Sequence, residues 1–195
     1  MTKFDPQNHH RRSIRLKGYD YSQEGAYFVT IVTWRREFLF GEIVNGEMML
    51  SPRGEIVDEC WRSIPEHFPH VELGAYVIMP NHVHGIIMIH TTGENRIATN
   101  TSQSVGARHA SPLRIASPLR PRGVSPGSLG AIIGSFKSAV TKRVGRELNE
   151  TGIWQRNYYE HIIRDEKDLQ NKTDYIEANP LLWGDDDENP ANGRG

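Results

Sequence analysis

The chain of 195 residues and 22.2 kDa has room for one domain with additions, since a single core organises about 100–200 residues. Hydrophobic residues make up 37% and charged residues 24%, a balance that excludes a disordered polyampholyte, and the longest apolar stretch, Gly85 to Ile89, is far short of the ~20 residues of a spanning helix. The first residues carry no apolar secretory core, so a cytoplasmic location and no membrane are expected, and a lone cysteine, Cys60, excludes an internal disulfide or a Cys-rich zinc site.

The overall charge of −1 conceals segregation. Residues 1–17 are net +4, 18–90 net −6, 91–146 net +8 and 147–195 net −7. A near-neutral chain that gathers its positive charge in two blocks is expected to meet a polyanion there, unless both blocks are solvated tails.

In chain order, residues 1–17 read as a basic flexible arm. The run 26–33 is rich in aromatic and β-branched residues and predicts a central strand. Asn45-Gly46 between short runs predicts a hairpin over 42–50. Ser51-Pro52 then opens a helix whose face carries Ile56, Val57, Cys60, Trp61 and Ile64. Strands are expected at 71–79 and 82–90, joined by a reversal at Pro80-Asn81. Residues 91–127 have almost no large apolar side chains and carry Ala-Ser-Pro-Leu-Arg twice, the mark of a flexible insertion. A long helix follows with a stripe of Leu129, Ile132, Ile133, Phe136, Val140, Val144 and Leu148. A strand at 158–163 and a last helix from Asp165, stopping by Asn179 before Pro180, complete the series. The order is the βαββαβ pattern of a ferredoxin-like or RNA-recognition-motif-like antiparallel sheet, an α+β fold with helices on one face and an extra C-terminal helix.

Two short segments carry chemistry. In Met79-Pro80-Asn81-His82-Val83-His84 the two histidines share one strand face, with Val83 turned to the core. Adjacent imidazoles suit a divalent metal, and equally suit two ordinary half-exposed strand histidines. In Asp174-Tyr175-Ile176-Glu177-Ala178-Asn179-Pro180, Tyr175 and Asn179 share a helix face. A phenol is a possible nucleophile and an amide oxygen a ligand for a hard cation, although a tyrosine near a helix end usually just packs its ring.

Together the segments resemble a known family. MPNHVHGIIMI is similar to the His-hydrophobic-His (HUH) signature of single-tyrosine DNA transposases, and WQRNYYEHIIRDEKDLQ with YIEANP to their catalytic helix region. SIRLKGYDYSQEGAYFVTIVT and GAIIGSFKSAVTKRV resemble the branch of REP-associated tyrosine transposases. The likeness runs from about Arg12 to Trp183 across the insertion, so the domain is expected over 18–183 with an acidic tail at 184–195, lying away from DNA. It implies a C-terminal helix carrying Tyr175 as nucleophile, with His82, His84 and Asn179 holding Mg²⁺ or Mn²⁺. It implies a transposase that cuts and transfers single-stranded DNA beside hairpins through a 5′-phosphotyrosine, as monomer or homodimer.

Arg11, Arg12, Arg15 and Lys17 in the arm and Lys137, Lys142, Arg143 and Arg146 on the long helix are expected to neutralise phosphates. Arg108, Arg114, Arg120 and Arg122 in the insertion serve either that end or none. Tyr158 and Tyr159 are rival nucleophiles better explained by core packing. Trp34 and Trp154 are candidates for base stacking or, more simply, for burial. His90 lies about 20 Å along the strand from His84, too far to share an ion. The alternatives are a non-catalytic single-stranded nucleic-acid-binding protein, a nicking endonuclease of replication-initiator type, or a His-x-His hydrolase that uses water.

Overall fold

A computed structural model describes residues 20–90 and 125–192. The arm and most of the insertion therefore lie outside the described residues, and with them Arg11, Arg12, Arg15 and Lys17. The chain forms β1 (Gly25–Val32), a 3₁₀ turn at Trp34–Arg36, the hairpin β2 (Gly41–Val44) and β3 (Glu47–Leu50), then α1 (Pro52–Arg62) and the short α2 (Ile64–His67). It continues through β4 (Val71–Met79), β5 (His82–Ile89), α3 (Leu129–Glu147), β6 (Tyr159–Ile163) and α4 (Glu166–Ala178). Two more 3₁₀ turns, Trp183–Asp185 and Pro190–Asn192, close the described chain.

The sheet order is β4-β5-β1-β6, and every pairing is antiparallel. This is the ferredoxin-like arrangement expected from the βαββαβ order, with β1 at the centre. Strand alternation divides the core in two. Tyr27, Val29, Ile31, Val83, Ile87 and Ile89 pack against Ile56, Val57 and Trp61 of α1 and Ile132, Ile133, Phe136 and Val140 of α3. On the reverse face Phe28 and Ile86 bury Ile176 of α4. Burying one isoleucine is worth about 1.5–3 kcal/mol, and here it fixes the rotation of the helix that carries Tyr175 and Asn179.

Local chemistry sets the element ends. Ser51 Oγ accepts from the Gly54 N–H and Pro52 follows it, Ser128 caps α3, and Asp165 caps α4 through the Asp168 N–H at 2.8 Å. Gly85 is dictated by packing: a β-carbon there would stand 2.3 Å from Cζ2 of the Trp61 ring. No helix among the described residues is long and apolar enough to cross a membrane.

Three expectations need correction. Residues 184–192 are no detached acidic tail; Asp186 and Asn189 are buried and the segment folds back over the reverse face of the sheet. Tyr159 is not packed in the core but exposed on β6, and only Tyr158 leans on the core cluster. Trp34 is exposed, whereas Trp154 packs between Phe40 and Phe136.

Candidate metal and tyrosine site

The antiparallel register sets Thr30 opposite His84 and Val32 opposite His82, so both imidazoles rise from the reverse face of β5 with Val83 in the core. Both are buried, and their ring centres lie 4.3 Å apart. Each is held by its Nδ1. Thr30 Oγ1 is 2.9 Å from His84 Nδ1, and Asn81 Oδ1 is 2.8 Å from His82 Nδ1. The Asn81 amide is itself oriented, because its Nδ2 donates to the carbonyl oxygens of Arg36 (3.2 Å) and Glu188 (2.7 Å). Its Oδ1 must then accept, His82 Nδ1 must carry the proton, and His82 Nε2 keeps its lone pair. That Nε2 is buried without a hydrogen-bond partner.

The last turn of α4 brings the second half. The Tyr175 hydroxyl lies 3.3 Å from His84 Nε2 and donates to Asp186 Oδ2 at 3.2 Å. Asn179, capping the helix, donates Nδ2 to the same oxygen at 2.8 Å, and its Oδ1 is buried with no partner. The structure thus gathers His82, His84, Tyr175 and Asn179, the four residues singled out in the sequence, and adds Asp186. Nitrogen and oxygen atoms of His82, His84 and Asp186 lie within 4.8 Å of one another, a group able to hold a metal ion.

The donor set fits a divalent cation. Two imidazoles and one carboxylate come together in a buried place, and Asn179, bonded to that carboxylate through Nδ2, brings an orphaned amide oxygen beside them, a donor set used by borderline to hard metals. An orphaned buried amide oxygen costs stability unless something takes it up. Burial lowers the pKa of both imidazoles, that of His82 more strongly, towards the neutral form that ligates metals. Burial alone would raise the Asp186 carboxyl, but the neighbouring imidazoles, the Asn179 amide and the Glu188 N–H together hold it below the usual carboxylate range. Burial first, and then the charge and hydrogen bond of Asp186, push the Tyr175 phenol up. Tyr175 is 39% exposed as a residue, while His84 and Asp186, the partners of its hydroxyl, are buried.

Asp186, Asn81 and Lys172 escaped the sequence reading. Asp186 sits in a run of four acids that reads as solvated surface. Asn81 reads as a turn residue. Lys172, one turn before Tyr175 on α4, reaches over the Phe28 ring at 5.0 Å from its centre, and Phe28 in turn stacks on His84 at 5.3 Å. A spacing of three residues on one helix could have signalled Lys172.

The basic residues of α3 are placed elsewhere, since α3 covers the opposite face of the sheet from the histidines. Lys137 donates to the carbonyls of Gln155 and Asn157, and burial lowers its pKa to about 8. Arg143 pairs with Glu59 and Glu147, and Arg146 with Glu147. Lys142 is exposed. His90 pairs with Glu72 at the far end of β5 and His161 with Asp168.

No family model matches the chain. A protein of Haemophilus influenzae strain Rd, described only as uncharacterized, is 42% identical over 185 residues, covering 95% of this chain and 96% of its own length. A second protein of that strain, described as "Putative REP-associated tyrosine transposase", is 26% identical over 175 residues, 85% of this chain and 75% of that protein. Among solved structures, a REP-associated tyrosine transposase bound to a REP hairpin superposes with a TM-score of 0.52 at 19% identity, covering 87% of this chain and 74% of that one. The last match speaks for the fold.

Proposed function

We propose that this chain, which belongs to the family of REP-associated tyrosine transposases, cleaves single-stranded DNA beside hairpins and transfers the cut end through Tyr175. The observation that carries the reading is the meeting of the Tyr175 hydroxyl with His84 Nε2 at 3.3 Å and Asp186 Oδ2 at 3.2 Å, beside two histidines whose Nδ1 atoms are already committed.

His82, His84 and Asn179 would hold Mg²⁺ or Mn²⁺, with the Asp186 carboxylate at the edge of the set. When bound, such a cation neutralises charge on a non-bridging phosphate oxygen. The rest falls to the protein. Tyr175 Oη attacks phosphorus, and its proton passes to Asp186 Oδ2, towards which the O–H already points. The bond from phosphorus to the 3′ oxygen breaks; that oxygen takes up a proton and leaves as a free 3′-OH, while the 5′ side stays on Tyr175 as a phosphotyrosine. A second 3′-OH attacking the phosphotyrosine reverses the steps and joins a new strand, and no ATP is consumed because the ester energy is conserved. Ile176 and Asn179 fix the helix end, so nucleophile and ligand are positioned by one element. The Lys172 ammonium lies close enough to the Phe28–His84 stack to offset phosphate charge.

The test is a denaturing gel of the protein with Mg²⁺ or Mn²⁺ and labelled hairpin oligonucleotides bearing single-stranded flanks, drawn from its own genomic surroundings. A protein–DNA adduct is expected from wild type, and none from Tyr175→Phe, from His82→Ala/His84→Ala or in chelator. Cleavage that survives Tyr175→Phe without an adduct would point instead to a water-using hydrolase, and binding without cleavage to a non-catalytic binder.

A further inference from the structure

We infer that Phe38 and Trp183 form a stacking platform for an unpaired base of the cleaved strand, next to the phosphate presented to Tyr175. The inference rests on the reading of Tyr175 as a nucleophile for single-stranded DNA. A row of rings leads out of the site. Trp183 lies 6.0 Å from His82 between ring centres, and Phe38 meets Trp183 edge to face at 5.7 Å. Trp183 is half-buried and Phe38 is 56% exposed, so the row starts against a candidate metal ligand and ends in solvent.

The backbone that presents Phe38 is held at a cost. Arg35 (φ 54°) and Arg36 (φ 58°) are both left-handed, a conformation side chains other than glycine and asparagine seldom adopt. The turn is pinned to the site. The Arg36 carbonyl accepts from Asn81, the residue that orients His82, and its guanidinium pairs with Glu188 at 3.2 Å. The Asn189 amide holds the Trp183 carbonyl at 2.9 Å. A strained turn and a folded-back C-terminal segment therefore converge to display two rings beside the candidate catalytic centre.

The local charge identifies what the platform takes. Asp185 and Asp187 are exposed here and Arg36 is committed to Glu188, so the surface offers aromatic faces rather than a net positive field. That suits a base, whose ring stacks on any aromatic side chain regardless of sequence, better than a phosphate.

The test uses the full chain and a DNA hairpin whose single-stranded tail carries aminopurine at successive positions. Fluorescence quenching at one position next to the cleaved phosphate is expected in wild type, lost in Phe38→Ala and restored in Phe38→Tyr. Affinity for the tailed hairpin should fall about 5- to 150-fold in Phe38→Ala, the range of a lost base–aromatic stack. Mn²⁺ binding and the melting curve should be unchanged, since Phe38 is surface-exposed. A Tyr175 adduct together with unaltered affinity and quenching in Phe38→Ala would overturn the platform alone. A Phe38-dependent quench without any adduct would leave the platform standing and remove the catalytic reading. A change in sedimentation mass in Phe38→Ala with no change in DNA affinity would overturn the platform in favour of self-association.

Discussion

Asn81 Oδ1 lies 2.8 Å from His82 Nδ1, and this pair decides which nitrogen of the imidazole faces the site. With both Nδ2 hydrogens directed at the carbonyls of Arg36 and Glu188, the amide cannot reverse without losing two bonds. Replacing it releases the tautomer and the ring orientation together. Asn81→Ala is expected to weaken Mn²⁺ binding by about 10- to 100-fold, the usual effect of losing the hydrogen bond behind a metal-ligating histidine. Calorimetric titration with Mn²⁺ measures this directly, and unchanged affinity would mean that His82 is no ligand.

Asp186 receives the Tyr175 O–H and the Asn179 amide on a single oxygen. Asp186→Asn keeps the shape and removes the acceptor for the phenol's proton. The rate of adduct formation is expected to fall on the order of 10²-fold, the low end of what a positioned base contributes. Binding of the hairpin DNA should persist. A single-turnover gel assay separates the two effects, and an adduct rate equal to wild type would show that the proton goes elsewhere.

Local patterns in the sequence carry the strands, the helices and the pairing of His82 with His84, because each rests on contacts a few residues apart: alternation along β5, Pro52 after Ser51, the spacing of Tyr175 and Asn179. What they cannot carry is the fold-back of the C-terminal segment. Asp185, Asp186, Asp187 and Glu188 have the composition of solvated surface. Only the meeting of Asp186 with Tyr175, and of Glu188 with Asn81 and Arg36, makes them part of the site. Asn81 shows the same limit from the other side. A turn accounts for an asparagine after proline, and its donor bonds to distant carbonyls leave no mark in the local pattern. Helix exposure was equally hidden: Arg143 reads as a phosphate contact until Glu59 on α1 is placed 2.7 Å away.

Gly85 tests the packing beneath the site. The ring of Trp61 crosses β5 where a β-carbon would stand 2.3 Å from Cζ2, and neither the central strand nor a fully buried indole has room to yield. Gly85→Ala is expected to lower the stability by about 1–3 kcal/mol, the range for overpacking a filled core. For a chain of this length that corresponds to a melting temperature lower by about 2–4 °C per kcal/mol. Trp61→Leu is itself destabilising, and in combination the two losses should be less than additive, because the smaller side chain removes the clash. A Gly85→Ala variant that melts like wild type would mean that the indole moves aside freely.

The pair of His161 on β6 and Asp168 on α4 predicts how acid loosens the helix that carries Tyr175. His161 Nε2 is 2.8 Å from Asp168 Oδ2, and the Arg164 N–H reaches the same oxygen at 3.3 Å. The His161 hydrogen bond is the main cause that holds the Asp168 carboxyl below its ordinary value, assisted by the Arg164 N–H. Between the folded value and the reference of about 3.9 the unfolded chain binds more protons, so stability rises with pH through that window. The contribution is complete above about pH 4 to 5 and disappears as the pH falls through the folded value. Asp168→Asn should therefore melt below wild type at neutral pH and converge with it in strong acid. The gap should be small, since the two side chains are 33% and 24% exposed and solvent screens the pair. Melting curves of both proteins across the acid range measure it. A gap that persists undiminished in strong acid would assign Asp168 a role in packing rather than in charge, and would leave Ile176 as the principal anchor of α4 on the sheet.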